Sequence, residues 1–215
     1  PDYYFISGFV HPALPVIHEK GISLFQWGLI PAWTRNEDDA REIKTKTLNA
    51  IGETLFDKPS FRKPAFSQRC IIPVTGFYEY RDVNGVKYPY FIYSADNQGF
   101  SLGGVYDTWI NPATGETNKS FSIVTTPANS LMEKIHNLKL RMPLILPPSQ
   151  SKLWVNSNTD VQLVKSLIQP YEARLMEAHT ISRNANNARL NRNIPEIMNE
   201  VKYPELDGFI ENTLF

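Results

Sequence analysis

The segment from Cys70 to Tyr93 constrains the fold most, because β-branched and aromatic residues flank a single strong turn signal. Residues Cys70 to Arg81 favour an extended strand, since such side chains fit a pleated, partly buried surface. Asn84-Gly85 is a dipeptide preferred in two-residue hairpin turns, whose central residues take positive φ. Tyr88 to Tyr93 supplies the aromatic returning strand. The sequence therefore predicts an antiparallel hairpin in the middle of the chain.

Further signals on both sides of this hairpin complete the predicted element pattern. Ser101 to Ile110 and Lys119 to Thr125 favour a second antiparallel pair, and Leu144 to Leu146 favours a short core strand. The predicted helices are Glu37 to Lys46, Ala128 to Asn137 and Thr159 to Ile168. Together these segments predict an α+β fold with a curved, mostly antiparallel, barrel-like β-sheet flanked by short helices.

Composition restricts the classes of protein to which the chain can belong. Its 215 residues contain no linker-like segment, so residues 1–215 are predicted to form a single domain. The 22 basic and 22 acidic residues balance, which argues against coating nucleic acid by bulk electrostatics, so any nucleic-acid site must be local. No stretch is long and apolar enough to cross a membrane. Cys70, the single cysteine, excludes an internal disulfide and a two-cysteine metal pattern. We expect a cytoplasmic monomer without metal or cofactor.

Glu79 is the candidate catalytic carboxylate, because it stands among Phe77, Tyr78 and Tyr80. Partial desolvation by these neighbours is expected to raise its pKa toward the range in which a carboxyl group exchanges protons near neutral pH. Taken alone, the signal is weak. An edge-strand glutamate paired with a lysine or arginine would then be the favoured interpretation.

Six segments of the sequence occur in an order that is typical of one protein family. They are Trp27-Gly28-Leu29-Ile30-Pro31-Ala32-Trp33, Asn49-Ala50-Ile51-Gly52-Glu53-Thr54, Arg69 to Tyr80, Thr125-Thr126-Pro127-Ala128-Asn129, Ile135-His136-Asn137 with Arg141-Met142-Pro143, and Asn186-Asn187-Ala188-Arg189 with Pro195-Glu196. In this order they resemble the SOS-response-associated peptidase (SRAP) family, which processes abasic sites. The resemblance spans almost the whole chain.

The resemblance implies covalent chemistry on abasic sites in single-stranded DNA, with no cofactor and no metal. In this family an N-terminal cysteine, exposed by removal of the initiator methionine, attacks the open-chain aldehyde through its α-amine, and its thiol then closes a thiazolidine ring. By resemblance, Glu79 assists sugar-ring opening and proton transfer, His136 shuttles protons, and Asn49 holds the N-terminal group. An α-amine with a pKa of about 7.7 to 8.0 is substantially neutral at cellular pH. The expected partner is abasic single-stranded DNA at the nucleoid.

Two further residues are predicted to bind this DNA. Trp27 is interpreted as a core residue, whereas Trp33 follows a proline at the end of a loop and is the candidate for stacking on a base. Arg141 is the candidate for a bidentate phosphate contact. Three local groups of basic residues could form a nucleic-acid patch. The group beside His136 is favoured, and it consists of Lys134, Lys139 and Arg141. The other two are interpreted as ordinary surface charge: Lys44 with Lys46, and Arg62 with Lys63 and Arg69.

The sequence departs from the family pattern at three places. No cysteine stands near its start, so we expect that an N-terminal stretch bearing Met-Cys precedes Pro1. Ile51 replaces the arginine of N-A-R-x-E-T, which removes an expected phosphate contact. Leu138 to Leu140 are extra residues between His136 and Arg141, so the aim of Arg141 is altered.

Two alternatives remain open at this point. The first is a non-catalytic single-stranded-DNA-binding module of the same fold, without the N-terminal cysteine. The second is a thiol hydrolase that would use Cys70 with His136 and Glu79. The second is disfavoured because Cys70 lies inside a predicted strand, where a buried structural thiol is expected.

Overall fold

The computed structural model describes residues 3–206 and contains ten strands and five α-helices in that range. The strands are β1 (Ala13–His18), β2 (Gly21–Trp27), β3 (Asn49–Ile51), β4 (Arg69–Val74), β5 (Gly76–Val83), β6 (Val86–Ser94), β7 (Phe100–Ile110), β8 (Thr117–Pro127), β9 (Arg141–Pro143) and β10 (Met176–Thr180). The helices are α1 (Glu37–Lys46), α2 (Arg62–Ser67), α3 (Ser130–Ile135), α4 (Pro148–Val155) and α5 (Val161–Ser166).

Seven strands form one curved sheet that returns on itself. The order is β2-β1-β4-β7-β8-β3, with β9 also paired to β8 and a further pairing between β2 and β8. The pairs are antiparallel except that β2 and β3 run parallel to β8. Because β2 and β8 share only two residue pairs, the sheet is ring-like without being a barrel. The predicted α+β fold with a curved, mostly antiparallel sheet is confirmed.

The remaining three strands form a second sheet in the order β10-β6-β5. The β5–β6 hairpin turns at Asn84 and Gly85, which have φ of 52° and 82°, and Val83 pairs with Val86. The predicted turn is therefore confirmed. The single strand predicted from Cys70 to Arg81 is wrong, because the chain leaves the first sheet after Val74 and enters the second one residue later.

Two apolar layers place the elements relative to one another. The inner layer lies between the two sheets and includes Phe25, Tyr90, Phe121 and Met132. The outer layer contains Trp154 and packs α2, α4 and α5 against the opposite face of the seven-stranded sheet. Residues on the inner face of β5 therefore point toward the first sheet, and this orientation determines where the functional side chains lie.

Arg69 is a buried cation that fastens two helices to β4. Its Nε donates to Trp154 O at 2.6 Å and its Nη1 donates to Ala65 O at 2.8 Å, with further bonds to the carbonyls of Phe66 and Asn156. These carbonyls belong to the last turns of α2 and α4, where a helix carries partial negative charge. Arg69 is therefore a structural residue, and its assignment to a surface charge group was wrong.

The other sequence predictions differ from the structure mainly in their boundaries. Predicted helix Glu37 to Lys46 is α1, and the predicted antiparallel pair is β7 with β8. The predicted strand Leu144 to Leu146 is buried, but the regular strand there is β9, followed by an isolated bridge between Ile145 and Leu102. Among the described residues, no helix has the length and apolar character needed to cross a membrane.

The fold predicts a large stability loss for Arg69→Met. The variant keeps the apolar stem but leaves the helix-terminal carbonyls without their donor, so we expect a loss of about 3 kcal/mol in the free energy of unfolding. Urea denaturation followed by circular dichroism measures this loss. Arg62→Met, at an exposed position seven residues earlier, is the matched control and should change the midpoint little. Equal midpoints for the two variants would contradict the structural role of Arg69.

Candidate active site

Glu79 lies in the middle of β5, opposite Tyr90 of β6. Its side chain is on the inner face and is 27% exposed. Desolvation by burial raises the pKa of Glu79, while the charges of His136 and Lys139 and a hydrogen bond from the Tyr80 N–H offset part of that rise. The desolvation expected for Glu79 is therefore present, and its raised pKa stays a prediction.

His136 ends α3 and faces the Glu79 carboxylate. Its Nδ1 lies 3.8 Å from Glu79 Oε1, and the imidazole is 18% exposed. The same nitrogen lies 2.9 Å from Arg141 O. Because a carbonyl oxygen only accepts hydrogen bonds, Nδ1 carries the proton in the neutral ring, and Nε2 is left with the lone pair. The site thus pairs a carboxyl group of raised pKa with an oriented imidazole.

Asn137 fixes this pairing by joining α3 to β5. Its Nδ2 donates to Asp82 O at 2.8 Å, and its Oδ1 accepts from the Asp82 N–H at 3.0 Å. The side-chain amide therefore satisfies both backbone groups of Asp82, in the manner of a neighbouring strand. The sequence interpretation missed this residue, although its place in the I-H-x segment was the available signal.

Arg141 is held by Glu53 rather than left free for a phosphate. Its guanidinium makes a two-pronged ion pair with the Glu53 carboxylate, including Nη2 to Oε2 at 2.8 Å. Nη2 also donates to Thr125 O at 2.7 Å and to its Oγ1 at 3.1 Å. Glu53 was also missed in the sequence, although it is the glutamate of the N-A-x-x-E-T segment. The pair anchors the Arg141 backbone, whose carbonyl orients His136.

Asn49 and Ile51 border the site on β3. They pair with Ile123 and Thr125 of β8, so their side chains share the sheet face of those residues. Both Asn49 and Ile51 are exposed. Asn49 is thus on the same face as the Thr125 hydroxyl that Arg141 contacts.

Trp33 lies in the loop between β2 and α1. Its side chain is 57% exposed, and its Nε1 donates to Pro59 O at 3.3 Å. Trp27 is partly buried and stacks on Phe121, with its Nε1 bonded to Leu48 O. The core assignment of Trp27 and the exposure expected for Trp33 are confirmed, whereas DNA binding by Trp33 stays a prediction.

Cys70 is fully buried in the inner apolar layer. Burial raises the pKa of its thiol well above the ordinary value. Because the thiolate is the nucleophilic form, such a cysteine is inert at neutral pH. The thiol-hydrolase alternative therefore loses its nucleophile.

The chain is similar in sequence to one family of proteins, with relatives in bacteria and vertebrates. The family described as SOS response associated peptidase (SRAP) matches residues 10–188. The abasic site processing protein YoqW of Bacillus subtilis is 37% identical over 211 residues, which cover 92% of this chain and 90% of YoqW. The abasic site processing protein HMCES of Xenopus tropicalis is 30% identical over 200 residues, which cover 84% of this chain and 57% of HMCES.

A solved structure gives the same result for the fold. A crystal structure of a protein from Bacteroides thetaiotaomicron has a TM-score of 0.88 and 40% sequence identity, and covers 92% of this chain and 84% of that one. The sequence match extends over most of the chain and includes Glu79 and His136. The chain therefore belongs to the SOS response associated peptidase (SRAP) family.

Proposed function

We propose that this protein processes abasic sites in single-stranded DNA by forming a covalent DNA–protein crosslink. The contact between Glu79 and His136 carries the proposal, because it supplies the proton transfers that ring opening and imine formation require. The names of the relatives YoqW and HMCES, both abasic site processing proteins, support the same substrate.

The nucleophile in this proposal is the α-amine of a cysteine that precedes Pro1. The described chain begins beside β5: Tyr78 donates its hydroxyl to Tyr4 O, and Phe5 packs on the Tyr78 ring at 4.8 Å between centroids. Tyr78 and Glu79 are neighbours along β5 and point to opposite faces, so Tyr4 and Phe5 pack on the face of the strand away from Glu79.

The proposed reaction has three steps: ring opening, imine formation and ring closure. The sugar ring opens to the aldehyde as Glu79 transfers a proton between the hydroxyl and the ring oxygen. The amine then adds to the aldehyde carbon, and loss of one water from the carbinolamine gives the imine, with His136 Nε2 accepting and returning the proton. Finally the cysteine thiol adds across the imine: sulfur bonds to the imine carbon and the thiol proton goes to the nitrogen. This closes the thiazolidine ring, and no further molecule is released. Asn49 holds the N-terminal group through donor and acceptor atoms.

The proposal predicts a crosslink of defined mass. The full-length gene product, incubated with an oligonucleotide carrying one abasic site, should give a denaturation-resistant adduct at the summed mass less one water. Intact-mass spectrometry measures it. An oligonucleotide with a tetrahydrofuran analogue, which has no aldehyde, is the matched control and should give none. Binding of both oligonucleotides without an adduct would instead support the non-catalytic DNA-binding module.

Glu79→Gln is predicted to slow crosslinking by about 100-fold, because it removes the exchangeable carboxyl proton but keeps the shape of the side chain.

The same variant tests the pKa of Glu79. Folding raises this pKa and so disfavours the ionised carboxylate. The free energy of unfolding therefore falls as the pH rises from the pKa of the unfolded state through that of the folded state. The variant should therefore melt no lower than the parent at pH 7, with the difference shrinking in acid. Quench-flow kinetics and thermal melts measure both effects. Unchanged crosslinking kinetics would remove Glu79 from the mechanism.

Trp33→Ala is predicted to weaken binding of single-stranded DNA by about 1 to 3 kcal/mol, the usual contribution of one base stacked on an aromatic ring. Fluorescence anisotropy with the tetrahydrofuran oligonucleotide measures it without crosslinking. Ile22→Ala, which removes an exposed apolar side chain of β2, is the control. If the two variants bind equally well, Trp33 is a bystander.

A further inference from the structure

The segment Leu138–Leu140 stands beside the Glu79–His136 pair and exposes two apolar side chains. Leu138 is 69% exposed and Leu140 is 48% exposed. Leu140 has a φ of 53°, in the left-handed region that residues other than glycine rarely occupy. The Leu140 N–H donates to His136 O at 2.9 Å, and its carbonyl accepts from the Ala128 N–H at 2.9 Å. These bonds hold the segment in a defined turn.

Both ends of this turn are fixed to the rest of the fold. On one side, Asn137 is joined to Asp82 by two hydrogen bonds. On the other side, Arg141 is joined to Glu53 and Thr125. The turn is therefore held at both ends, with Leu138 and Leu140 exposed between the two anchors. Apolar side chains displayed on a fixed turn next to a reactive site are suited to contact a bound ligand.

Lys139 lies between the two leucines and supplies a positive charge. It is exposed, and among residues 3–206 it makes no hydrogen bond or ion pair. The bond from the Leu140 N–H to His136 O closes the turn that holds Lys139 three residues after His136, and the lysine charge favours the ionised form of Glu79. A lysine with no carboxylate partner at such a position is available to bind an anion from solution.

We propose that Leu138–Leu140 form a DNA-contacting lip, in which Lys139 binds the phosphate next to the abasic nucleotide and Leu138 packs against the neighbouring unpaired base. This inference rests on the proposed function and adds to it a binding site for the flanking nucleotides. A single strand matches the lip because it presents one phosphate charge and one exposed base face per nucleotide. Arg141, committed to Glu53, is not needed for this contact.

The lip has an electrostatic signature that differs from a general loss of binding. One phosphate contact on single-stranded DNA contributes about 0.7 to the slope of log K against log salt concentration. Lys139→Gln should therefore reduce this slope by about 0.7 and weaken binding most at low salt. Leu138→Ser should weaken binding by about threefold or more without changing the slope, because it removes only apolar contact.

The test is fluorescence anisotropy with a tetrahydrofuran-containing single strand over a series of salt concentrations. Lys152→Gln, at an exposed position of α4, is the matched control and should keep the parent slope. If the parent crosslinks an abasic strand but Lys139→Gln keeps the parent slope, the lip is overturned and the proposed function stands. If Lys139→Gln and Lys152→Gln lower the slope of log K against log salt concentration by the same amount, the lip is also overturned. If the parent binds no single strand, both the lip and the proposed function fail.

Discussion

The active-site region depends on the packing of α3 against β5, which the side-chain amide of Asn137 reinforces through the backbone of Asp82. Glu79 belongs to the three-stranded sheet, whereas His136 follows a helix connected to the seven-stranded one. Met132 and Ile135 of α3 are buried in the apolar layer between the sheets, and this burial holds the helix in place. The amide adds a polar tie three residues along β5 from Glu79, whose Oε1 lies 3.8 Å from His136 Nδ1.

Under the proposed function, the arrangement around this contact assigns proton transfer and substrate holding to different residues. Burial raises the pKa of Glu79, and the Arg141 carbonyl fixes the orientation of His136. Arg141 in turn is fixed by Glu53, so its charge is used inside the protein. In the proposed lip, the charge that attracts DNA is that of the exposed Lys139 at the edge of the site. A neutral protein can in this way bind a polyanion locally, without a basic surface.

Features encoded by neighbouring residues could be predicted from the sequence, whereas those set by distant contacts could not. The Asn84-Gly85 turn and α1 follow from local turn chemistry and capping, which short stretches specify. Strand β1 was not predicted; it contains Pro15, which is tolerated there because most of β1 pairs only with β2. The partners of Arg69 lie up to 87 residues away, so no local pattern marks it as buried. For the site, the order of the motifs pointed to Glu79 and His136. It carried no information on the side-chain contacts around them, such as those between Asn137 and Asp82 or between Arg141 and Glu53.

The proposed chemistry requires Glu79 to be a desolvated carboxyl group that can transfer a proton beside His136. The most direct measurement is the pH titration of the Glu79 side-chain carboxyl carbon by NMR, assigned through Glu79→Gln. We expect a midpoint above the ordinary value of a glutamate, because burial outweighs the neighbouring positive charges. A midpoint at or below that value would show an ordinary ion-paired carboxylate and would rule out this role for Glu79.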